Sequence, residues 1–174
     1  ARAVLRGQGL VRALCWCPGL EPARRLELLR MLLEMSTAPV DVDDVDPRDG
    51  CTVLHRLLAA GSLPVSQGLD PAARRAAEET ARMEETTLAT AVLLLQAGAG
   101  PDLPSHSGNT PLHVACAAGA RLPLLRLLTH ARADVHARNC RDETPLHLLA
   151  MSAAFEAGVA VAHLLECGGR VGAR

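Results

Sequence analysis

Aromatic side chains are nearly missing: the 174 residues hold one Trp, one Phe and no Tyr. The strands of a β-sandwich are built from aromatic and β-branched residues, so that architecture is disfavoured. A tight interface would also be short of its usual anchors, since hot spots favour Trp, Tyr and Arg. An excess of one charge is missing too. There are 18 Lys and Arg against 19 Asp and Glu, a formal net charge of −1, and such a chain has no basic field to attract nucleic acid. The Leu-rich runs are short and broken by charge, which leaves no membrane span. "ARAVLRGQGLVRALCWCPG" lacks the unbroken apolar stretch of a signal peptide. With Ala in first place the chain reads as a piece of a longer protein.

Cysteine is present but scattered, at Cys15, Cys17, Cys51, Cys116, Cys140 and Cys167. Only the first two are close, at a C-x-C spacing with no matching second pair, so neither a zinc site nor a disulfide framework is indicated. Reduced, structural thiols suit a reducing compartment, the cytoplasm or nucleus. Catalytic patterns are absent as well. No nucleophile is set beside a base and no Gly-rich loop opens a β-α unit. No catalytic residue, metal or cofactor is expected.

What is abundant is Ala, Leu and Val, within a hydrophobic share of 49%. That composition suits closely packed helices. Thr110 before Pro111 is a helix start: a Thr hydroxyl can cap first-turn N–H groups, and Pro at the first helical position gives up only an unpaired donor. Thr144 and Pro145 repeat the signal. "CTVLHRLLAAG" (51–61), "NTPLHVACAAG" (109–119) and "ETPLHLLAMSA" (143–153) align, and each is followed by a Leu-rich run, from positions 91, 124 and 161. Thr110 and Thr144 are 34 residues apart. A short helix, a turn, a second helix and a polar loop account for each unit.

T-P-L-H at a period near 33 residues resembles the ankyrin repeat, and the wider pattern is matched over most of 88–174. The resemblance implies an all-α fold, a solenoid of stacked helix-turn-helix units with loop or β-hairpin fingers. It would form one domain over 1–174: a divergent repeat about 9–46, a repeat with an inserted helix about 47–104, and repeats about 105–138 and 139–172. Thr52, His55, Thr110, Pro111, His113, Thr144, Pro145 and His147 are the motif residues. Leu54, Leu112 and Leu146, with Leu94, Leu127 and Leu164 from the outer helices, would face the next repeat. The recurring His would hydrogen-bond to a neighbouring repeat. The three imidazoles cannot share a metal, because packed helices lie about 10 Å apart and zinc holds its ligands at roughly 2 Å.

Departures from the pattern are informative. Thr52 and Thr110 are 58 residues apart, and the excess lies in 62–87, "SLPVSQGLDPAARRAAEETARMEETT". Asp70-Pro71 starts a helix there, and the Ala, Glu and Arg that follow favour one long helix to about Ala97. It is read as a surface insertion whose first half projects from the stack, with a binding element as the alternative. Residues 10–42 read as two helices broken at Pro18-Gly19, with Trp16 packed inside or at the exposed end of the stack. The end at 174 would present a raw interface unless more chain follows.

The resemblance also implies the function, protein–protein recognition on a concave face and on the finger loops. The first loop is acidic, with Asp41, Asp43, Asp44, Asp46 and Asp49 against Arg48. The third is mixed, with Arg132, Arg138 and Arg141 beside His136. Such a gradient would orient a partner. The candidate contact residues are Asp43, Asp44, Arg48, Leu103, His106, Val135, His136, Arg138 and Arg141. An unknown protein partner, a monomeric state and no nucleic acid or membrane partner are expected. Two other roles fit: the substrate-recruiting part of a cullin-type ubiquitin ligase, as in ankyrin proteins with a SOCS box, and a purely structural spacer.

Overall fold

The computed structural model describes residues 11, 13, 21–35, 40–60, 71–119, 122–152 and 157–171. Trp16, Cys15, Cys17, the Pro18-Gly19 break and residues 62–70 of the insertion lie outside them. Helices α1 (Pro22–Met35), α2 (Val53–Ala60), α3 (Pro71–Gln96), α4 (Pro111–Ala117), α5 (Leu122–His130), α6 (Pro145–Met151) and α7 (Ala157–Val171) follow in chain order. Among the described residues there is no strand, and the one ladder-like pairing is an antiparallel bridge between Val45 and Thr52.

Helices of seven or eight residues, such as α2, α4 and α6, are too short to be stable in isolation, because nucleation costs more than so few hydrogen bonds return. Packing holds them. The inner row runs α2, α4, α6, with α4 between the other two, and the outer row runs α1, α3, α5, α7. Each of α2, α4 and α6 also packs on the outer helix that follows it. Contacts between helices are therefore confined to neighbours, which is the arrangement of a solenoid.

Leucine fills the space between the rows. Leu29, Leu58, Leu94, Leu112, Leu125, Leu128 and Leu149 are all 0% exposed, and each such side chain contributes about 1.5–3 kcal/mol relative to exposure. In α5 Leu125 and Leu128 are fully buried, while Leu127, expected to face the next unit, is only partly buried. The adjacent Leu pair leaves the sequence ambiguous by one position, and the helix's rotation on its neighbours decides it.

Helix α3 runs unbroken for 26 residues, about 39 Å at 1.5 Å per residue. Its later part enters the core through Thr90, Ala91 and Leu94, whereas Ala81, Arg82, Met83 and Glu85 are exposed. Thr86 and Thr87 donate their hydroxyls to the Met83 carbonyl at 2.9 and 2.7 Å, and Thr90 donates to that of Thr86 at 2.6 Å. The threonines thus satisfy themselves on the preceding turn, which lets polar, β-branched residues sit inside a helix.

Candidate protein-interaction surface

Each inner helix begins with a threonine and a histidine that close on one another. The Thr110 N–H donates to Nδ1 of His113 at 3.2 Å, and the Thr110 hydroxyl lies 2.9 Å from the same nitrogen. The corresponding distances are 3.2 and 2.8 Å for Thr52 and His55, and 3.1 and 2.8 Å for Thr144 and His147. This is a capping box with imidazole in place of the usual carboxylate. In α4 and α6 the hydroxyl makes its short contact to the ring, while the box also turns it towards the N–H of the histidine three residues on.

The other ring nitrogen reaches the next unit. Nε2 of His55 lies 2.9 Å from the Asn109 carbonyl and Nε2 of His113 3.0 Å from that of Glu143. A carbonyl only accepts and a backbone N–H only donates, so both rings carry their proton on Nε2 and are neutral. Burial pushes both pKa values down, against an opposing pull from the carbonyl partners. The ring of His147 is exposed, and its Nε2 has no hydrogen-bond partner among the described residues.

These boxes set the base of three fingers, 40–50, 100–109 and 132–143, which are tied to one another. From the first finger to the second, the Gly100 N–H donates to Oδ1 of Asp43 at 2.9 Å and the His106 N–H to the Asp49 carbonyl at 2.8 Å. From the second to the third, the Asp134 N–H donates to Oδ1 of Asp102 at 2.8 Å and the Cys140 N–H to the Ser107 carbonyl at 3.0 Å. Each junction pairs one carboxylate bond with one backbone bond. Gly50 (φ 69°) and Gly108 (φ 74°) stand where the fingers touch: a Cβ on either would lie 2.7 Å from the next finger's backbone nitrogen. Glycine is required at both for space as well as for φ.

Asn139 is the keystone that the sequence reading missed. Its Nδ2 donates to Oδ1 of Asn109 at 2.9 Å and to Oε2 of Glu143 at 3.0 Å, while its Oδ1 accepts the N–H groups of Arg141 and Glu143. It is 7% exposed. The signal available was the position itself, a short amide where the turn needs an acceptor two residues back.

The candidate contact residues divide by environment. Arg48, His106, His136, Arg138 and Arg141 are exposed, while Asp43, Asp44 and Leu103 are half-buried. Val135 is only 9% exposed and belongs to the core. Most of the first finger's acids are engaged: besides Asp43, the carboxylates of Asp41, Asp46 and Asp49 accept the N–H groups of Asp43, Arg48 and Cys51. The Cys51 N–H, foremost, holds the Asp49 carboxyl below its usual range, and Arg56 pairs with it. On the third finger Arg138 pairs with Asp142 at 2.6 Å and Arg141 with Glu143 at 3.0 Å. Several of the charges read from the sequence therefore also hold the fingers' own turns. Nε2 of His136 points to the Gly168 carbonyl at 3.5 Å.

Cys51, Cys116, Cys140 and Cys167 are free thiols, and burial pushes the Cys116 pKa up to about 12. No helix among the described residues is long and apolar enough to cross a membrane.

Comparison with known proteins meets this geometry. The ankyrin repeat family model matches residues 107–140, a span that holds α4, α5 and most of the third finger. The chain is 30% identical over 146 residues to Rabankyrin-5 of Homo sapiens, covering 72% of this chain and 12% of that protein. It is 47% identical over 57 residues to Neurogenic locus notch homolog protein 4 of Homo sapiens, covering 33% of this chain and 3% of that protein. The chain thus spans a small part of either relative. The box of Thr110 and His113 inside the matched span recurs outside it, at Thr52 with His55 and at Thr144 with His147, each heading an inner helix of the same stack. The chain is an ankyrin-repeat protein.

Proposed function

We propose that this chain is a protein–protein interaction module, an adaptor or scaffold that holds a protein partner on its fingers and the adjoining concave face. Ankyrin repeats generally mediate protein–protein interaction and are not enzymes, which supports the reading at the level of the family. The observation that carries it further is the ladder between fingers. Gly100 and His106 bond back to the first finger, and Asp134 and Cys140 to the second. Loops tied in this way bind with little ordering cost, because their conformation exists before the partner arrives. The contact set on this reading is Arg48, Leu103, His106, Arg138 and Arg141, with Asp43 and Asp44 beside them. Val135 supports the finger from the core. A cytoplasmic or nuclear setting suits its free thiols.

The test is a comparison of proximity-labelled proteins for the chain and for a variant carrying Arg48→Ala, Leu103→Ala and Arg138→Ala, after matching thermal stability. Loss of a defined partner in the variant supports the reading. Unchanged labelling would leave the spacer reading in its place. Recovery of elongin and cullin with the intact chain would favour substrate recruitment to a ubiquitin ligase.

A further inference from the structure

A second surface lies on the outer row, away from the finger tips. Between α1 and α3 runs an open groove of about 460 Å³, within the size range of ligand-binding clefts. Leu26 forms one wall, and Leu88, Val92 and Leu93 the other, with Ala89 too small to close the space between them. All are half-buried. Met31, four residues beyond Glu27 and so on the same side of α1, is 54% exposed and extends the apolar surface.

The charges at the rim are unequal. Arg30 is already paired with Glu34 at 2.8 Å. Glu27 on α1 and Glu85 on α3 also line the groove, are exposed, and make no ion pair among the described residues. An apolar slot between two helices, with an unmatched carboxylate on each wall, fits one kind of occupant. We propose that this groove docks a helical segment of a partner protein that inserts bulky aliphatic or aromatic side chains and flanks them with Lys or Arg. Helix-in-groove recognition uses anchors at i, i+3 and i+4, a spacing that a slot running between two helices can accept. Basic flanks would find Glu27 and Glu85, while an acidic segment would be repelled by them. The site is separate from the fingers and does not depend on what they bind.

Short random peptides displayed on phage are selected on the chain and counter-selected on Glu27→Lys/Glu85→Lys, a surface variant expected to keep its fold. Enriched peptides are synthesised and titrated by fluorescence anisotropy. The expected result is sequences with large apolar residues at helical spacing beside Lys or Arg, binding roughly tenfold or more weakly to the charge-reversed variant. Ala89→Leu, which fills the slot and leaves the rim untouched, should also abolish binding. Methyl resonances of Leu26, Leu88 and Val92 should move on binding, with those of Leu103 unmoved. Peptides without basic residues, or binding unaffected by both variants, would overturn the proposal. Binding lost with Arg48→Ala and Arg138→Ala instead would assign the peptides to the fingers. Self-association of the chain that disappears in the charge-reversed variant would show the occupant to be a second copy.

Discussion

A histidine that closes a helix cap is a demanding partner, because its ring must stay neutral to accept from one side and donate on the other. In His113 both nitrogens are engaged and the ring is 0% exposed. Removing the threonine hydroxyl disturbs the helix start and the ring together. Thr110→Ala should therefore destabilise the chain by about 1–2 kcal/mol, the upper part of the range for losing an N-cap, as read by urea unfolding. A change below a few tenths would mean that the hydroxyl contact carries no weight. Backbone strain gives the opposite sign at Arg132, whose φ of 66° lies in the left-handed region, as does that of Gly98 at the corresponding place of the preceding repeat. Arg132→Gly should stabilise by roughly 0.5–1 kcal/mol, the relief of strain exceeding glycine's added freedom in the unfolded chain. A loss of stability in the same unfolding experiment would show that Arg132 makes a contact worth more than the strain.

At the scale of elements, α3 is two helices in one. The turn carrying Thr90, Ala91 and Leu94 is buried, while Ala81, Arg82, Met83 and Glu85 face solvent. A helix segment with few buried contacts opens locally at low cost. Amide hydrogen exchange should therefore slow along α3, fastest over 81–85, slowest near 91–94, with 112–116 of α4 as protected as the slow end. Uniform protection along α3 would show that its exposed part is held by packing after all. The start of this helix was legible in Asp70-Pro71 and in the Ala, Glu and Arg that follow. The groove it forms with α1 was not, since nothing in either helix alone says that Leu26 and Val92 will face each other across an unfilled space.

For the whole molecule, the two buried imidazoles couple stability to pH. Burial lowers the folded pKa of His55 and His113, so below the unfolded value of about 6.5 the unfolded chain binds more protons than the folded one. Their contribution is fully present above that pH and is lost as pH falls towards the folded values. The thermal midpoint should drop between about pH 7.5 and pH 5.5, and His113→Gln should reduce that drop while lowering stability at both ends. An equal drop in the variant would place the coupling elsewhere. Because both rings bond to the next repeat, the same protonation would loosen the stack at its junctions.

The period, the Thr-Pro starts, the recurring His and the Leu-rich runs were enough to determine the stacked helix pairs, because each unit's local signals repeat and agree. Other features, besides the groove, were left to the tertiary structure. Asn109 and Asn139 meet only when two fingers lie side by side. The acids of the first finger look like free charge in the sequence but accept backbone N–H groups once the turns form. Val135, an attractive anchor on a polar loop, turns into the core. The bonds of Asp41, Asp46 and Asp49 are local, to N–H groups two residues on. For Asp43, the asparagine pair and Val135 the deciding neighbours lie far along the chain, and the physical reason is the same: a long-range hydrogen bond or a burial depends on relative position in space, which local sequence does not encode.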